Sequence, residues 1–463
     1  MDDLPPSILV EILSRLGDST DLARCRLASR TLRFLSADVR SISVVCSRER
    51  FLRARAPATR ELTIPFRSLV FNLLSFLSRS DGGCALRSLS LSVEEPDAAS
   101  AEEEEEDGGF DDGDDLHLTA ADFLSQWLPS VALGLTSLSI GDYWCQACWR
   151  PSTAFHLISE QCCNLLNLEM KNASLSVAGL KPMLNLITLR LEFIRLDDED
   201  LDKVNECFPF LQVLKLIGVG GLRKPKIVLT QLRICHWTVS NFPLSLAIHA
   251  PNLVELKLEC VEPKYLVLET PLLSQIDLKI KKPGGHIKVG SFLYLKSVRM
   301  ETSYLKGIQQ LFEGCQAVKK LELEEFNSSK TDESFGKFTL LDIISTFPNV
   351  DDLKLGPGAW NQLETSFVGC RDSYISCEWR NLKSLTIKLP PNDLNIATLS
   401  VLLKFCIPSC EVAVLLHKDS PDCTKNRIIA RCAGNFPRYK WKCGIWKESC
   451  LDSFLDLQND TNF

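Results

Sequence analysis

The chain has 463 residues, 45% apolar and 24% charged, with a formal net charge of −7. Such a composition describes a folded protein of several domains or one extended array, and the lack of any 18-residue apolar run excludes a helical membrane span. The start carries Asp2 and Asp3 rather than a basic leader, so the 19 cysteines are expected as reduced thiols of the nucleus and/or cytoplasm.

Residues 4–40 predict three short helices. Pro5 and Pro6 open the first, where a missing N–H costs little, and Ile8, Leu9, Ile12, Leu13 and Leu16 follow at helical spacing as one apolar stripe. Gly17 ends that helix, and the stretch from Asp18 to Asp21 offers cap oxygens for the next. Leu22, Leu27, Leu32, Leu35 and Val39 carry the apolar pattern onward. About 37 residues cannot bury all of that surface by themselves. The helices therefore either cap the rest of the chain or dock on a partner.

From residue 39 onward one phrase recurs: aliphatic-x-x-aliphatic-x-aliphatic. Weak copies stand at Val39-Ile42-Val44 and Thr59-Leu62-Ile64. Stronger ones come next, among them Leu86-Leu89-Leu91, Leu135-Leu138-Ile140, Leu165-Leu168-Met170, Leu186-Leu189-Leu191, Leu211-Leu214-Leu216, Leu253-Leu256-Leu258 and Leu382-Leu385-Ile387. Between residues 165 and 318 the starts advance by 20 to 25 residues, the leucine-rich-repeat period. A Pro or Cys stands ahead of several copies, as in Cys163-Asn164-Leu165 and Pro251-Asn252-Leu253, and ends the preceding segment. Each repeat predicts one short parallel strand on a concave wall, with a helix or irregular segment behind it.

The string from Leu4-Pro5 through the Ile-Leu pairs to Cys25-Arg26-Leu27-Ala28-Ser29-Arg30 resembles an F-box motif, in particular that of plant F-box proteins with leucine-rich repeats. Many F-boxes have Trp where this chain has Leu32, which fills less volume. The repeats after residue 60 resemble the same family. The fold class implied is α/β: a three-helix F-box followed by a leucine-rich-repeat solenoid, a horseshoe with parallel strands on its concave face. The expected division is 1–40 F-box, 41–93 first irregular repeats, 94–118 acidic disordered insertion, 119–400 solenoid and 401–463 terminal cap.

The acidic insertion rests on composition. Residues 94–115 hold 13 acids and no Lys or Arg; with these set aside, the net charge of −7 becomes +6. Longer steps at 318–350 and 350–382 require longer loops.

Candidate chemistry is sparse. Cys145, Cys148, His156, Cys162 and Cys163 could hold zinc only if a loop gathered them, and Cys163 sits at a pre-strand position that suits a small buried thiol. No phosphate loop, nucleophile elbow or His-Glu-x-x-His occurs. No cofactor, metal, nucleic acid or membrane partner is expected.

What remains is binding. In each strand the residue between the last two aliphatics points away from the core. Down the repeats that column includes Glu169, Arg190, Lys215, His236, Lys257, Asp277 and Arg299. Arg190, Lys215, His236 and Lys257 are consecutive and predict a basic stripe for an acidic or phosphorylated target, with Arg299 a further candidate; the alternative is a solvated face neutralised by Glu169 and Asp277, one repeat beyond each end. The resemblance implies a non-catalytic substrate receptor of a Skp–cullin–F-box ubiquitin ligase. A Skp-type adaptor, and through it a cullin, would dock on Leu4, Pro5, Ile8, Leu9, Ile12, Leu13, Leu16, Leu22, Leu27 and Leu32, while the repeats hold a target protein. The alternatives are a repeat scaffold without a ligase and a zinc- or thiol-dependent enzyme.

Overall fold

In the computed structural model the described residues are 4–16, 18–56, 58–78, 86–94, 113–143, 151–239, 244–260, 264–280, 286–290, 292–302, 305, 311–325, 339–367, 381–390, 396–404, 406–407, 409–447 and 450–455. They divide into two units, Met1–Asn241 and Phe242–Phe463.

The first unit opens with three helices, α1 (Pro6–Ser14), α2 (Ser19–Ala28) and α3 (Arg30–Leu35). Pro6 occupies the first helical position, where its missing N–H has no intrahelical partner to lose. The Asp18 carboxylate accepts from the Thr20 N–H at 2.9 Å and caps α2, and the Ser29 hydroxyl accepts from the Leu32 N–H at 3.4 Å and caps α3. α1 and α2 both pack on α3, and α2 also packs on the first strand.

That strand, Ser41–Cys46, starts a parallel series that continues through Ser88–Val93, Ser137–Gly141, Asn167–Lys171, Thr188–Glu192, Val213–Val219 and Ile234–Val239. The aliphatics of the phrase lie in register, Leu189 opposite Leu214 and Leu191 opposite Leu216. These four leucines are fully buried. Each repeat alone has an exposed apolar strand edge and face; stacking covers both.

One weak copy is a repeat and one is not. Val39, Ile42 and Val44 are buried, and their strand pairs directly with Ser88–Val93. Leu62 and Ile64 are exposed, and Arg60–Leu62 is a single 3-10 turn. The chain between these two strands instead forms helices Arg48–Arg55 and Phe66–Leu77. The triplet pattern alone cannot separate a strand from three aliphatics on a turn.

The step length decides what lies behind the strands. The 25-residue step from Leu186 to Leu211 accommodates helix Asp198–Cys207, whose N-terminus is closed by a reciprocal capping box between Asp197 and Asp200. In the second unit the steps near 20 residues are too short for that. There three parallel strands of a second sheet, Ser245–His249, Tyr265–Glu269 and His286–Val289, take the place of helices. The front strands of this unit run Glu255–Cys260, Gln275–Ile280, Ser297–Thr302, Lys320–Glu324, Asp352–Leu355, Ser384–Lys388, Glu411–His417 and Lys440–Lys447, all parallel. The 32-residue steps carry helices Leu340–Thr346 and Pro357–Phe367. The tail extends the sheet and ends it with the antiparallel strand Cys450–Leu455.

A ladder of asparagine amides stitches successive turns. Asn164 Nδ2 donates to the Leu133 carbonyl at 3.0 Å, Asn185 to that of Cys163 at 2.9 Å, and Asn349 to that of Gln316 at 3.0 Å. Each Asn directly precedes the first aliphatic of its repeat and satisfies a carbonyl of the turn before it. The chain takes positive φ just after the strands Asn167–Lys171 and Thr188–Glu192, at Asn172 and Phe193, and inside the end of the strand Val213–Val219, at Gly218. At Gly218 φ is +62° and a Cβ would lie 2.5 Å from the Phe193 ring, so any other residue is strained there.

Residues 95–112 of the acidic insertion lie outside the described residues. Its last part does not behave as a disordered loop. Gly113–Leu116 is a helical turn, Leu116 and Leu118 are buried, and Asp115 accepts from the Arg67 N–H at 2.9 Å and from the Phe66 N–H at 2.6 Å. Those two donors open helix Phe66–Leu77, where a carboxylate satisfies unpaired N–H groups.

Next to it Asp142 is buried, accepting from the Thr119 hydroxyl and, at 2.9 Å, from the Thr119 N–H, with His117 Nε2 at 3.8 Å. Burial pushes its carboxyl up to about 7, against the hydrogen bonds of Thr119 and Leu118 and the charge of Arg67. Between pH 3.8 and about 7 the native state therefore holds a proton that the unfolded chain has released. Raising the pH through that window weakens the fold, and the effect of this group is flat on either side. Thermal midpoints of the chain and of Asp142→Asn should converge or cross as pH rises from 5 to 8, the natural chain losing more. A constant difference across that range contradicts the assignment.

Candidate functional site

On the three-helix region the predicted apolar stripe splits into two rows. Leu9 and Leu13 are each 2% exposed and face inward, as Leu22 does on α2. Ile8 at 47% and Ile12 at 44% form a second row one residue earlier, turned to solvent. Leu4 and Pro5 are exposed, Leu16 and Leu32 are half-buried, and Leu27 is 89% exposed. Of the ten candidate docking residues, Leu9, Leu13 and Leu22 are thus core. Conversely Phe34, absent from that set, is 78% exposed. It lies off the heptad-like spacing of Leu32 and Leu35, so helical periodicity could not single it out; an aromatic next to two core positions was the available signal.

The inner rows explain why the outer one is free. Leu9, Leu13, Leu22, Leu35 and Val39 already form a core shared with the first strand. Arg26 lays its guanidinium over the Phe76 ring at 3.9 Å, and Arg40 N–H donates to Ser14 Oγ at 3.0 Å. Burial, and then the neighbouring Arg33, lowers the pKa of Arg26. Packing is complete without Ile8, Ile12, Leu27 and Phe34.

The second candidate surface is the open face of the front strands. In the first unit Arg190 stands opposite Lys215, and Lys215 opposite His236. Lys257 and Arg299 belong to the second unit. Arg190 is already paired: its guanidinium donates to Glu192 at 2.6 Å and lies 3.3 Å from Glu169. The Glu192 bond raises the pKa of Arg190. At Glu192 burial opposes ionisation, but the bonds from Arg190 and Lys171 outweigh it and hold the carboxyl below its usual range. Lys215, flanked by the two candidates, has no ion pair among the described residues.

In the second unit the column alternates in sign, Lys257, Asp277, Arg299, Glu322, Lys354. Arg299 sits 4.0 Å from Asp277 and 3.6 Å from Glu322, and Lys279 3.4 Å from Glu259. Such exposed pairs add little stability, but they neutralise the face. In the first unit the basic stripe therefore narrows to the Lys215 region, because Glu192 on the same strand and Glu169 on the adjacent one occupy Arg190. Toward the start of the first unit the same face is uncharged and lined by hydroxyls: Ser41, Ser88 and Ser137 in one register line, Ser43, Ser90 and Ser139 in the next.

Among the zinc candidates, Cys145 and Cys148 lie outside the described residues. His156 Nδ1 is 2.8 Å from the Gly179 carbonyl. Cys163 is exposed rather than buried, and Cys162 takes the interior position, where burial pushes its thiol up to about 12. Cys235 is likewise pushed to about 12 by burial. Thiols held protonated in this way pack as small apolar groups.

Residues 1–48 match the F-box-like family. Over 460 residues the chain is 39% identical to an F-box/LRR-repeat protein of Arabidopsis thaliana, covering 98% of this chain and all of that one. Helices at the start, a buried aliphatic ladder in both units and a full-length relative agree: the chain belongs to the plant F-box/LRR-repeat family.

Proposed function

We propose that this chain is the target-binding subunit of a Skp–cullin–F-box ubiquitin ligase. F-box domains in general bind Skp-type adaptors. The observation that carries the reading here is the outer face of the three helices, where Ile8, Ile12, Leu27 and Phe34 stay in solvent although the helices already have a core. The adaptor docks on that face and brings the cullin with it, in the nucleus and/or cytoplasm. The chain itself makes and breaks no bonds; it holds a target beside the ubiquitin-charged enzyme and so raises the local concentration of the reacting groups.

The target lies on the open face of the repeats, with Lys215 meeting an acidic or phosphorylated group. Affinity capture of the full chain from plant cells should recover adaptor, cullin and target together. Lys215→Glu should weaken target recovery, as should rising salt, with adaptor recovery unchanged. A target recovered without adaptor or cullin would make the chain a repeat scaffold outside any ligase.

A further inference from the structure

The distribution of basic residues along the chain is uneven in one respect. Residues 1–170 contain 15 arginines and no lysine, whereas residues 171–463 contain 27 lysines and 10 arginines. At the overall ratio, half of the early basic positions would be lysine. A few of the early arginines use the guanidinium, as Arg26 does over Phe76 and Arg67 over Phe123, but others sit at surface sites that do not demand one. The side chains of Arg15, Arg24 and Arg53 are 78%, 74% and 63% exposed, and each sits in a local surface pair, with Glu11, Asp21 and Glu49. A lysine would serve such pairs as well.

The two cations differ in chemistry. In ubiquitin transfer a neutral lysine Nζ attacks the thioester carbonyl at the ubiquitin C-terminus; a C–N bond forms, the C–S bond breaks, the enzyme's thiolate leaves and the amine proton passes to solvent. A guanidinium stays protonated and cannot attack, while lysine is the residue that accepts ubiquitin. A target visits the complex, but its receptor resides there, so any lysine amine on the adaptor-bound end is exposed to charged enzyme throughout.

We infer that residues 1–170 form a lysine-free zone that keeps ubiquitin off the receptor's own adaptor-bound end, confining self-modification to the repeats from Lys171 onward. The inference rests on the ligase reading.

The test reconstitutes the full chain with adaptor, cullin, activating and conjugating enzymes and ubiquitin, and maps conjugates by mass spectrometry. The variant Arg24→Lys/Arg40→Lys/Arg53→Lys keeps every charge. Expected are no conjugates before residue 171 on the natural chain, new conjugates at the introduced lysines, and faster loss of the variant in cells. Adaptor bound normally but the introduced lysines left unmodified would overturn the inference and leave the ligase reading intact. Conjugates before residue 171 on the natural chain, on a side chain other than lysine, would overturn it too. Failure of the natural chain to bind adaptor at all would overturn both.

Discussion

Replacing Ile8 and Ile12 together by alanine is expected to abolish capture of a Skp-type adaptor while the thermal midpoint hardly moves. Both side chains are close to half exposed on the outer row of α1, so truncation leaves no cavity. Central apolar anchors of an interface cost about 2 kcal/mol or more each on truncation, roughly thirtyfold in affinity per residue. Leu13→Ala makes the opposite expectation. Leu13 is 2% exposed in the core of the three helices, and its truncation should remove about 2–5 kcal/mol of stability. Any loss of adaptor binding in that variant comes from unfolding. Phe34 on α3 is 78% exposed, and Phe34→Ala should likewise weaken capture without loss of fold. Undiminished adaptor affinity in the Ile8→Ala/Ile12→Ala chain moves the docking face elsewhere.

The second large effect concerns the repeat ladder. Leu214→Ala should destabilise the first unit by about 2–5 kcal/mol, lowering the thermal midpoint on the order of 10 °C, because Leu214 is fully buried and stands in register between Leu189 and Cys235. Lys215→Ala, one residue on, points to the open face and should change stability by less than about 0.5 kcal/mol. The contrast between adjacent residues is a direct consequence of strand alternation. Similar losses for the two would mean the register is wrong.

Much of the fold was readable from the chain. The leucine-rich phrase marked the front strands because a two-residue alternation, locked into a 20–25-residue period, leaves few other ways to bury so many aliphatics. What the pattern missed has physical causes. Thr59-Leu62-Ile64 satisfied the spacing without a neighbouring strand to pair with. The back sheet of the second unit comes from repeat length, which sets how much chain is left behind each strand. On α1, two adjacent apolar rows share one periodicity, and only packing shows that Leu9 and Leu13 go inward while Ile8 and Ile12 do not. The column Arg190, Lys215, His236 was visible, and so was the flanking acid Glu169, but the part of Glu192 was not. Glu192 lies two residues along the same strand from Arg190 and closes on it, and Glu169 reaches it from the adjacent strand.

Calorimetric titration of the purified full chain with a purified Skp-type adaptor tests the central claim most directly. Saturable one-to-one binding is expected, abolished in the folded Ile8→Ala/Ile12→Ala variant and indifferent to Lys215→Glu. A natural chain that melts cooperatively yet gives no heat of binding and no co-elution with the adaptor would contradict it.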